Sequence, residues 1–369
     1  MATTNLDAYN LSQVSHGGQI HEDLMNAVYD ISAEDRPFCD AVGSTTSGND
    51  RKEWVREQLA AAAADNARID GEDSTSNDAR SGERLANYHQ IMTKTVKVSD
   101  RGRESDTVGT SDELIRQLMK RQKELRRDEE AAMTGRNVAL QGTDVAAGTM
   151  AGVGSWIGVS TMDNAVVTAS TTSARGASST DPTLSGTIAG GGFPDTAAVT
   201  AASQALSEAD IKDMMKAAYV NGGNPTMALS VPAAIELLSD YLFTASARVA
   251  TLQSNAPQGN RTTASSGNGN SGGGIVAQGS VNVLVTNFGT LELVPDRFMP
   301  HSGTDEADLY LIDPDLWERS YLQGYETNEL ARTGLAENRE ISVDATLVAL
   351  NPEGNAVVAD IDLTTPAVA

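Results

Sequence analysis

Residues 110–135 have the sequence TSDELIRQLMKRQKELRRDEEAAMTG, and this stretch carries the clearest structural signal in the chain. Thr110 and Glu113 have the spacing of a capping box, and Gly135 is a natural helix stop. Between them lies one apolar stripe at helical spacing, made of Leu114, Ile115, Leu118, Met119, Leu125 and Ala132. The pattern predicts a helix over 110–134. About 25 residues at roughly 1.5 Å each give about 37 Å, a length that suits a strut.

The same stretch contains the one basic run of the chain, on the outer faces of the predicted helix. These side chains could face phosphate groups, but acidic side chains lie within one helical turn of them. We therefore expect ion pairs along the helix. The basic residues are Arg121, Lys123, Arg126 and Arg127, and the acidic ones are Glu124, Asp128, Glu129 and Glu130.

In two stretches upstream of this helix the side chains alternate between two faces, and this pattern predicts strands. They are DRKEWVREQL (50–59) and NYHQIMTKTVKVSDR (87–101), separated by a polar stretch rich in turn-forming residues. Together they predict a long antiparallel ribbon with a floppy tip. A lone two-stranded hairpin is marginal in water, and nothing in the chain is obviously reserved to pack on it. A neighbouring copy is therefore expected to cover the exposed ribbon.

The chain downstream predicts an α/β unit. Ser207 starts a helix that ends at Asn221, TMALSV (226–231) is a buried strand, and Pro232 opens a second helix. Gln253 to Gly274 is a low-complexity tract. Further strands are predicted at SVNVLVTN (280–287), TLELVP (290–295), ADLYLID (307–313) and EISVDATLVALN (340–351), and the residues from Asn355 are predicted to be a tail.

Two other regions give weaker signals. Residues 1–35 predict a loose arm with one short helix, because apolar residues from Val14 to Ile31 have near-helical spacing. Residues 141–200 are rich in Gly, Ser, Thr and Ala and predict a loop or insertion, with one apolar island around Trp156.

Length and charge restrict the function. The 369 residues suffice for two or three domains, and the net charge is −23. A sequence-independent DNA-binding protein needs a clustered basic surface, and 17 of the 27 basic residues lie within 51–150. If the protein surrounds DNA, it does so as a container whose wall repels the contents. Solubility or a saline habitat would also explain the charge.

The usual signatures of catalysis and metal binding are absent from the sequence. One cysteine, Cys39, excludes an internal disulfide, and the four histidines lack the spacing of a zinc site. Residues 269–273 match G-x-S-x-G, but no strand and helix flank them as a nucleophile elbow requires. The acidic turns at 70–73 and 313–315 are expected to be solvated. We expect no membrane segment and no secretory signal.

The segment over 30–73 resembles the start of the major capsid proteins of podovirus- and siphovirus-type tailed phages. The shared pattern, D-x-P-F…G…W…L…N…G, is carried by Asp35, Pro37, Phe38, Gly43, Trp54, Leu59, Asn66 and Gly71. Six further segments resemble that family in the same order: 87–101, 113–133, 150–157, 288–300, 311–318 and 329–334. The resemblance covers most of 30–350, and 165–200 and 255–274 depart from it.

The resemblance implies an α+β fold, the tailed-phage major capsid fold, which herpesvirus shells and encapsulin compartments share. Its implied parts, in chain order, are an N-terminal arm (1–43), an extended β-ribbon loop (44–105), a peripheral domain with the spine helix (106–200), an axial domain (201–290), returning peripheral strands (291–352) and a C-terminal tail (353–369).

The implied function is that of a shell subunit and not an enzyme, with no catalytic residue, cofactor or metal. The expected assembly contacts on the ribbon and the spine helix are Arg51, Trp54, Arg56, Tyr88, Met92, Lys94, Arg101, Arg116 and Arg127. The expected partners are other copies in hexameric and pentameric capsomers, portal and scaffolding proteins, and a decoration protein. The protein is expected to enclose double-stranded DNA without reading its sequence. It is expected in the virion capsid, and in the host cytoplasm during assembly.

Two alternatives belong to other classes. An encapsulin-type compartment would package an enzyme instead of DNA, and the genes beside it would decide between the two. A surface hydrolase would use paired carboxylates, but no pair stands out in the sequence.

Overall fold

The computed structural model of the protein describes residues 25–57, 59, 62, 64–71, 73, 82–105, 107–109, 112–158, 172–184, 192–244, 283–300, 305–332 and 334–368. The predicted arm before residue 25, most of the ribbon tip and the low-complexity tract lie outside the described residues. Of the predicted N-terminal helix, the described part from residue 25 to 36 is not helical.

The described part of the chain contains both helices and strands. The helices are α1 (Pro37–Ala41), α2 (Asp100–Glu104), α3 (Glu113–Thr134), α4 (Val153–Trp156), α5 (Glu208–Val220) and α6 (Pro232–Thr244), with 3₁₀ turns at Pro314–Leu316 and Pro352–Gly354. The strands are β1 (Gly43–Thr46), β2 (Arg51–Arg56), β3 (Glu83–Tyr88), β4 (Gln90–Ser99), β5 (Ser173–Ala174), β6 (Thr183–Leu184), β7 (Pro194–Thr196), β8 (Met227–Ser230), β9 (Val283–Thr286), β10 (Gly289–Pro295), β11 (Glu306–Ile312), β12 (Trp317–Leu330), β13 (Ala336–Ala349) and β14 (Ala356–Asp362).

Four strands form the first sheet, in the order β1-β12-β13-β4. Its centre is the long antiparallel hairpin of β12 and β13, where Trp317 pairs with Ala349. Strand β4 pairs antiparallel with β13, and β1 pairs in parallel with β12, Gly43 opposite Glu318. Strand β12 was not predicted, because the sequence between residues 313 and 340 gave no clear element.

The predicted pairing of the ribbon is wrong for its second strand. Strand β2 pairs with β3, Arg51 opposite Tyr88, and not with the stretch 87–101 as a whole. The chain turns at His89, and from Gln90 onward it joins β13 in the four-stranded sheet. The alternation over 90–99 therefore reflects a strand with one face buried in its own subunit.

The predicted long helix is confirmed as α3, but its start and the burial of its apolar stripe differ from the prediction. It begins at Glu113, and its N-cap is Asp112, whose side chain accepts a hydrogen bond from the Leu114 backbone N–H at 2.9 Å. Ile115 and Met119 are each 55% exposed, so the predicted stripe is only partly buried. The helix packs mainly against β4.

Six strands form the second sheet, in the order β5-β14-β11-β8-β10-β9. Its two faces belong to two cores. Leu229, Tyr310 and Val357 face the core that contains Trp156 and Trp317, whereas alternate residues such as Leu309 and Val358 face a core with Ile211 and Leu238. Helices α5 and α6, confirmed at their predicted positions, cover this second face.

The predicted C-terminal tail is wrong. Strand β14 lies inside the six-stranded sheet between β5 and β11, and six of its seven residues are buried. Strands β10 and β11 also belong to this sheet. The predicted boundary at residue 290 therefore divides one sheet. Within the predicted returning segment 291–352, β12 and β13 are the strands that belong to the four-stranded sheet with β4.

Buried charges join these layers at the end of α3. Glu130 accepts the backbone N–H groups of Phe38 and Cys39 at 2.8 and 2.9 Å, and so caps α1. Glu129 accepts the hydroxyl groups of Tyr321, at 2.6 Å, and Tyr325. Burial raises the pKa of Glu130 despite these N–H donors.

Just beyond the helix, Arg136 connects α3 to the six-stranded sheet. Its guanidinium forms a two-pronged ion pair with Asp308 on β11 and contacts Asp360 on β14 at 2.9 Å. Burial opposes the charge of Arg136, but the hydrogen bonds and charge of Asp308 outweigh it, so the pKa of Arg136 is raised.

We predict that Arg136→Ala will destabilise the subunit by about 3–5 kcal/mol, because two buried carboxylates lose their partner. Urea unfolding followed by circular dichroism measures this loss. The matched control is Arg332→Ala, which removes an exposed ion pair with Asp100 and should cost less than about 1 kcal/mol. Equal losses in the two variants would contradict the role of the Arg136 pairs.

Candidate assembly surfaces

The root of the ribbon, residues 51–56 and 83–88, is held by its own subunit. Trp54 packs against Trp156 with ring centroids 5.5 Å apart, and its indole N–H donates to the Ala349 carbonyl at 2.9 Å. Tyr88 packs edge-on against Phe193 at 5.3 Å. The expectation that the chain offers the ribbon nothing to pack on is therefore wrong for the root.

Asn87 attaches the root by its side-chain amide. The amide donates to the carbonyls of Ala151, at 3.1 Å, and Leu347, at 2.7 Å, and its oxygen accepts the Ala151 N–H at 2.9 Å. The Thr346 hydroxyl adds a bond to the Tyr88 carbonyl at 2.8 Å. Asn87 was not predicted, because nothing in the neighbouring sequence distinguishes it from an asparagine in an exposed turn. Its buried amide satisfies backbone groups that would otherwise be unpaired.

The predicted arginine contacts of the ribbon also have partners within the subunit. Arg56 binds the Glu83 carboxylate through two nitrogens, at 2.9 and 2.7 Å, across the β2–β3 pair. Arg51 pairs with Glu53, and its hydrogen bond to Tyr88 contributes most to raising its pKa. Both are partly buried.

The predicted contacts on the sheet and the long helix are mostly internal as well. Met92 is buried in the main core, Lys94 pairs with Asp128 at 2.6 Å, and Arg116 pairs with Glu113. Arg127 lies over the ring of Phe298 at 4.7 Å. Arg101 is exposed on α2. These residues shape the subunit, and Arg101 is the predicted contact that lies open.

The basic run on α3 is also paired within the chain. Arg121 bonds to Glu124 at 2.5 Å, Lys123 bonds to Glu34, and Arg126 lies 5.6 Å from the ring centroid of Tyr325. The Arg121 pair agrees with the expected ion pairing along the helix. Of the other nearby acids, Asp128 pairs with Lys94 on β4, and Glu129 and Glu130 are fully buried.

Apolar side chains are exposed at the outer end of the ribbon root and beyond it. Val55, the fifth residue of β2, is 62% exposed, and Leu59 and Ile69 beyond the root are 91% and 76% exposed. At the far end of the β12–β13 hairpin, Leu335 is 83% exposed. Large apolar side chains at such exposures on projecting elements are candidate contact sites for another protein surface.

The hairpin also presents a free backbone edge. Strand β1 covers β12 only over Glu318–Tyr321, and among the described residues no strand pairs with the outer edge of β12 beyond that point. Unpaired N–H and C=O groups along a strand can bind a strand of another chain.

The described ranges contain no group of three or more His, Cys, Asp or Glu side chains placed to hold a metal ion. None of the described helices is both long enough and apolar enough to cross a bilayer.

The arrangement of these two sheets, long helix and ribbon is similar to that of solved phage capsids. The capsid of cyanophage P-SCSP1u matches with a TM-score of 0.54 at 12% identity, over 96% of this chain and 98% of that one. The capsid of cyanophage A-1(L) matches with 0.54 at 11%, over 95% and 99%. The capsid of the native GTA particle matches with 0.54 at 9%, over 97% and 100%. The protein therefore has the tailed-phage capsid fold, as its sequence predicted.

The family is shown by a sequence model described as SU10 major capsid protein, which matches residues 2–362. The chain belongs to this family of major capsid proteins. A curated relative, the major capsid protein of Escherichia phage Phieco32, is 30% identical over 98 residues. That match covers 27% of this chain and 28% of the relative, so it spans less than a third of the relative's length.

We predict that Trp54→Ala will destabilise the subunit itself by about 2–4 kcal/mol, because it opens a cavity against Trp156 and removes a hydrogen bond. Chemical denaturation of the unassembled chain measures this. Val55→Ala, one position along the same strand but with its side chain exposed, is the matched control and should change stability by less than about 0.5 kcal/mol. If Trp54→Ala unfolds at the same denaturant concentration as the control, Trp54 does not hold the root.

Proposed function

We propose that the protein is the shell subunit of a tailed-phage head and that its copies form hexameric and pentameric capsomers of a closed icosahedral capsid. The observation that carries this proposal is the ribbon: its root is fixed to the subunit, while the apolar side chains of Leu59 and Ile69 beyond it are almost uncovered. A rigidly mounted element with exposed apolar groups is suited to lie on a neighbour. Membership of a major capsid protein family supports the same function.

A closed shell follows from repeated contacts of one kind. Identical subunits related by rotation form rings, and rings of five and six close into a shell when each subunit uses the same surfaces. Each ribbon and each hairpin edge adds a weak contact, and many such contacts on one particle add up to a stable assembly.

We assign the parts of the capsid subunit to the observed layers. The four-stranded sheet with α3 corresponds to the peripheral domain, and the six-stranded sheet with α5 and α6 corresponds to the axial domain. The extended loop is the ribbon from Arg51 to Tyr88. This assignment moves β10, β11 and β14 from their predicted positions into the axial domain, because they pair with β8 and with each other.

The contents of the shell would be double-stranded DNA held without sequence recognition. The net charge of −23 and the internal pairing of the basic helix residues give no phosphate-binding surface among the described residues. Portal, scaffolding and decoration proteins are the further partners of this proposal. Assembly would take place in the host cytoplasm, and the protein would act without catalysis.

The decisive experiment removes the ribbon tip and keeps its root. Glu57 and Gly82 directly follow the last pair of the ladder, Arg56 with Glu83. Replacing residues 58–81 by Asn-Gly should therefore close β2 and β3 with a two-residue hairpin turn. We predict a folded subunit, with an unchanged circular dichroism spectrum, that forms no shells by sedimentation and negative-stain imaging.

The control replaces the same residues with a Gly/Ser linker of equal length, which restores the reach of the loop without its apolar groups. It should also fail to form shells if Leu59, Ile69 and their neighbours supply the contact. Normal shells from the Asn-Gly variant would overturn the role of the ribbon. Shells that contain a cargo enzyme when purified from the native host would instead favour a compartment.

A further inference from the structure

His89 occupies the single position between the ribbon root and the four-stranded sheet. It follows β3, which pairs with β2, and precedes β4, which pairs with β13. Its backbone N–H donates to the Asp50 carbonyl at 2.9 Å, and its side chain is 3% exposed. A buried imidazole therefore lies at the turn where the ribbon leaves the subunit.

The imidazole is poorly partnered for a buried polar group. Its Nδ1 atom lies 3.3 Å from an Asp344 carboxylate oxygen on β13, without the alignment of a hydrogen bond. Among the described residues, neither ring nitrogen has a hydrogen-bond partner, and the facing Asp344 oxygen has none either. Native proteins satisfy most buried polar groups, so an exception at a junction calls for an explanation.

Three charged groups from the elements packed around it face His89. Asp344 lies on β13, Asp50 lies in the loop before β2, and Lys52 lies on β2. Burial lowers the pKa of His89, against the attraction of Asp344 and Asp50, so the ring is neutral at neutral pH. Burial also raises the pKa of Asp344. The site thus holds a neutral ring, and the nearby Asp344 carboxylate is not aligned to accept a hydrogen bond from either ring nitrogen.

We propose that His89 is an acid-sensitive hinge at the ribbon root, where uptake of a proton drives the ring out of its buried site and loosens β3 from the subunit. Mild acid then frees the ribbon to change its orientation. The consequence for a shell, a ribbon contact that weakens in acid, rests on the proposed function. The hinge itself is a property of the single chain.

The direction and size of the effect follow from proton linkage. A ring released into water has a pKa of about 6.5, and the buried ring binds its proton less well, so protons favour the open state below that pH. Between pH 8 and 5.5 the open population should rise several-fold, with an upper limit of about tenfold set by the ratio of protonated to neutral ring in water at pH 5.5. Burial raises the pKa of Asp344, so proton uptake by Asp344 in the closed state opposes opening in more acidic solution.

The test is residue-resolved hydrogen exchange on the unassembled full-length chain, with rates corrected for the intrinsic effect of pH. Protection of the Ala86 amide, which bonds to the Gly192 carbonyl, and of the His89 amide should fall several-fold, and by at most about tenfold, from pH 8 to 5.5. Protection of the Ala228 amide in the six-stranded sheet should stay constant. A decrease smaller than twofold at the root would overturn the proposal.

Two variants without an imidazole ring, His89→Phe and His89→Gln, should lose this pH dependence. If one of them fails to fold, the other still tests the proposal. His301→Gln removes a different imidazole and should keep the wild-type decrease in protection. The proposal is wrong if a His89 variant retains the wild-type pH profile. The hydrogen-exchange measurement uses the unassembled chain, so it does not depend on shell formation. A failure to form shells would contradict the proposed function but not the hinge.

Discussion

The structure depends on the rule that a buried charge must be paired. Three charged side chains at or just past the end of α3, Glu129, Glu130 and Arg136, enter the interior, and each finds its partners on a different element. Moving the helix relative to α1, to β12 or to the six-stranded sheet would leave at least one of these charges unpaired in an apolar surrounding, at a cost of several kcal/mol. The helix therefore fixes the mutual positions of the layers more firmly than apolar packing alone, which tolerates sliding.

The ribbon has a root that is fixed to its own subunit and exposed apolar residues beyond that root, and this division suits the contact proposed for it. The Trp54–Trp156 contact and the bonds of Asn87 fix the root, so the direction in which the ribbon leaves the subunit is set before any neighbour arrives. A preset direction lowers the ordering cost of a contact, because fewer conformations are lost on binding. The exposed apolar residues then need only be covered. Residues such as Tyr88 and Arg56, predicted as contacts between copies, serve this internal purpose.

The sequence predicts the fold well where periodicity is strong and poorly where it is not. The helices α3, α5 and α6 have start or stop signals in the sequence, and all three were predicted to within a few residues of their observed bounds. Strand β12 has mostly polar side chains because much of its length is exposed, so it gave no signal. Strand β14 was predicted to be part of a tail, although it contains a short apolar run. The turn at His89 contains neither glycine nor proline, and the ribbon was consequently paired with the wrong segment.

The candidate surfaces were harder to predict than the fold, for a physical reason. An arginine or tryptophan on an alternating strand has the same pattern whether it meets its own subunit or another copy, and only the paired partner distinguishes the two. Glu129 and Glu130 were placed among the surface acids for the same reason. That a candidate contact surface lies on the ribbon was predictable, because the ribbon tip is long and polar. That Leu59 and Leu335 are exposed could be seen only in the structure.

The pairing of β1 with β12 also has a consequence for protein synthesis. Gly43 to Thr46 leave the ribosome long before their partners, Glu318 to Tyr321. The first sheet cannot close until those partners have emerged, and β4 likewise waits for β13. Trp54 also bonds to the Ala349 carbonyl at the end of β13, so the ribbon root of a nascent chain cannot be completed before β13 has left the ribosome.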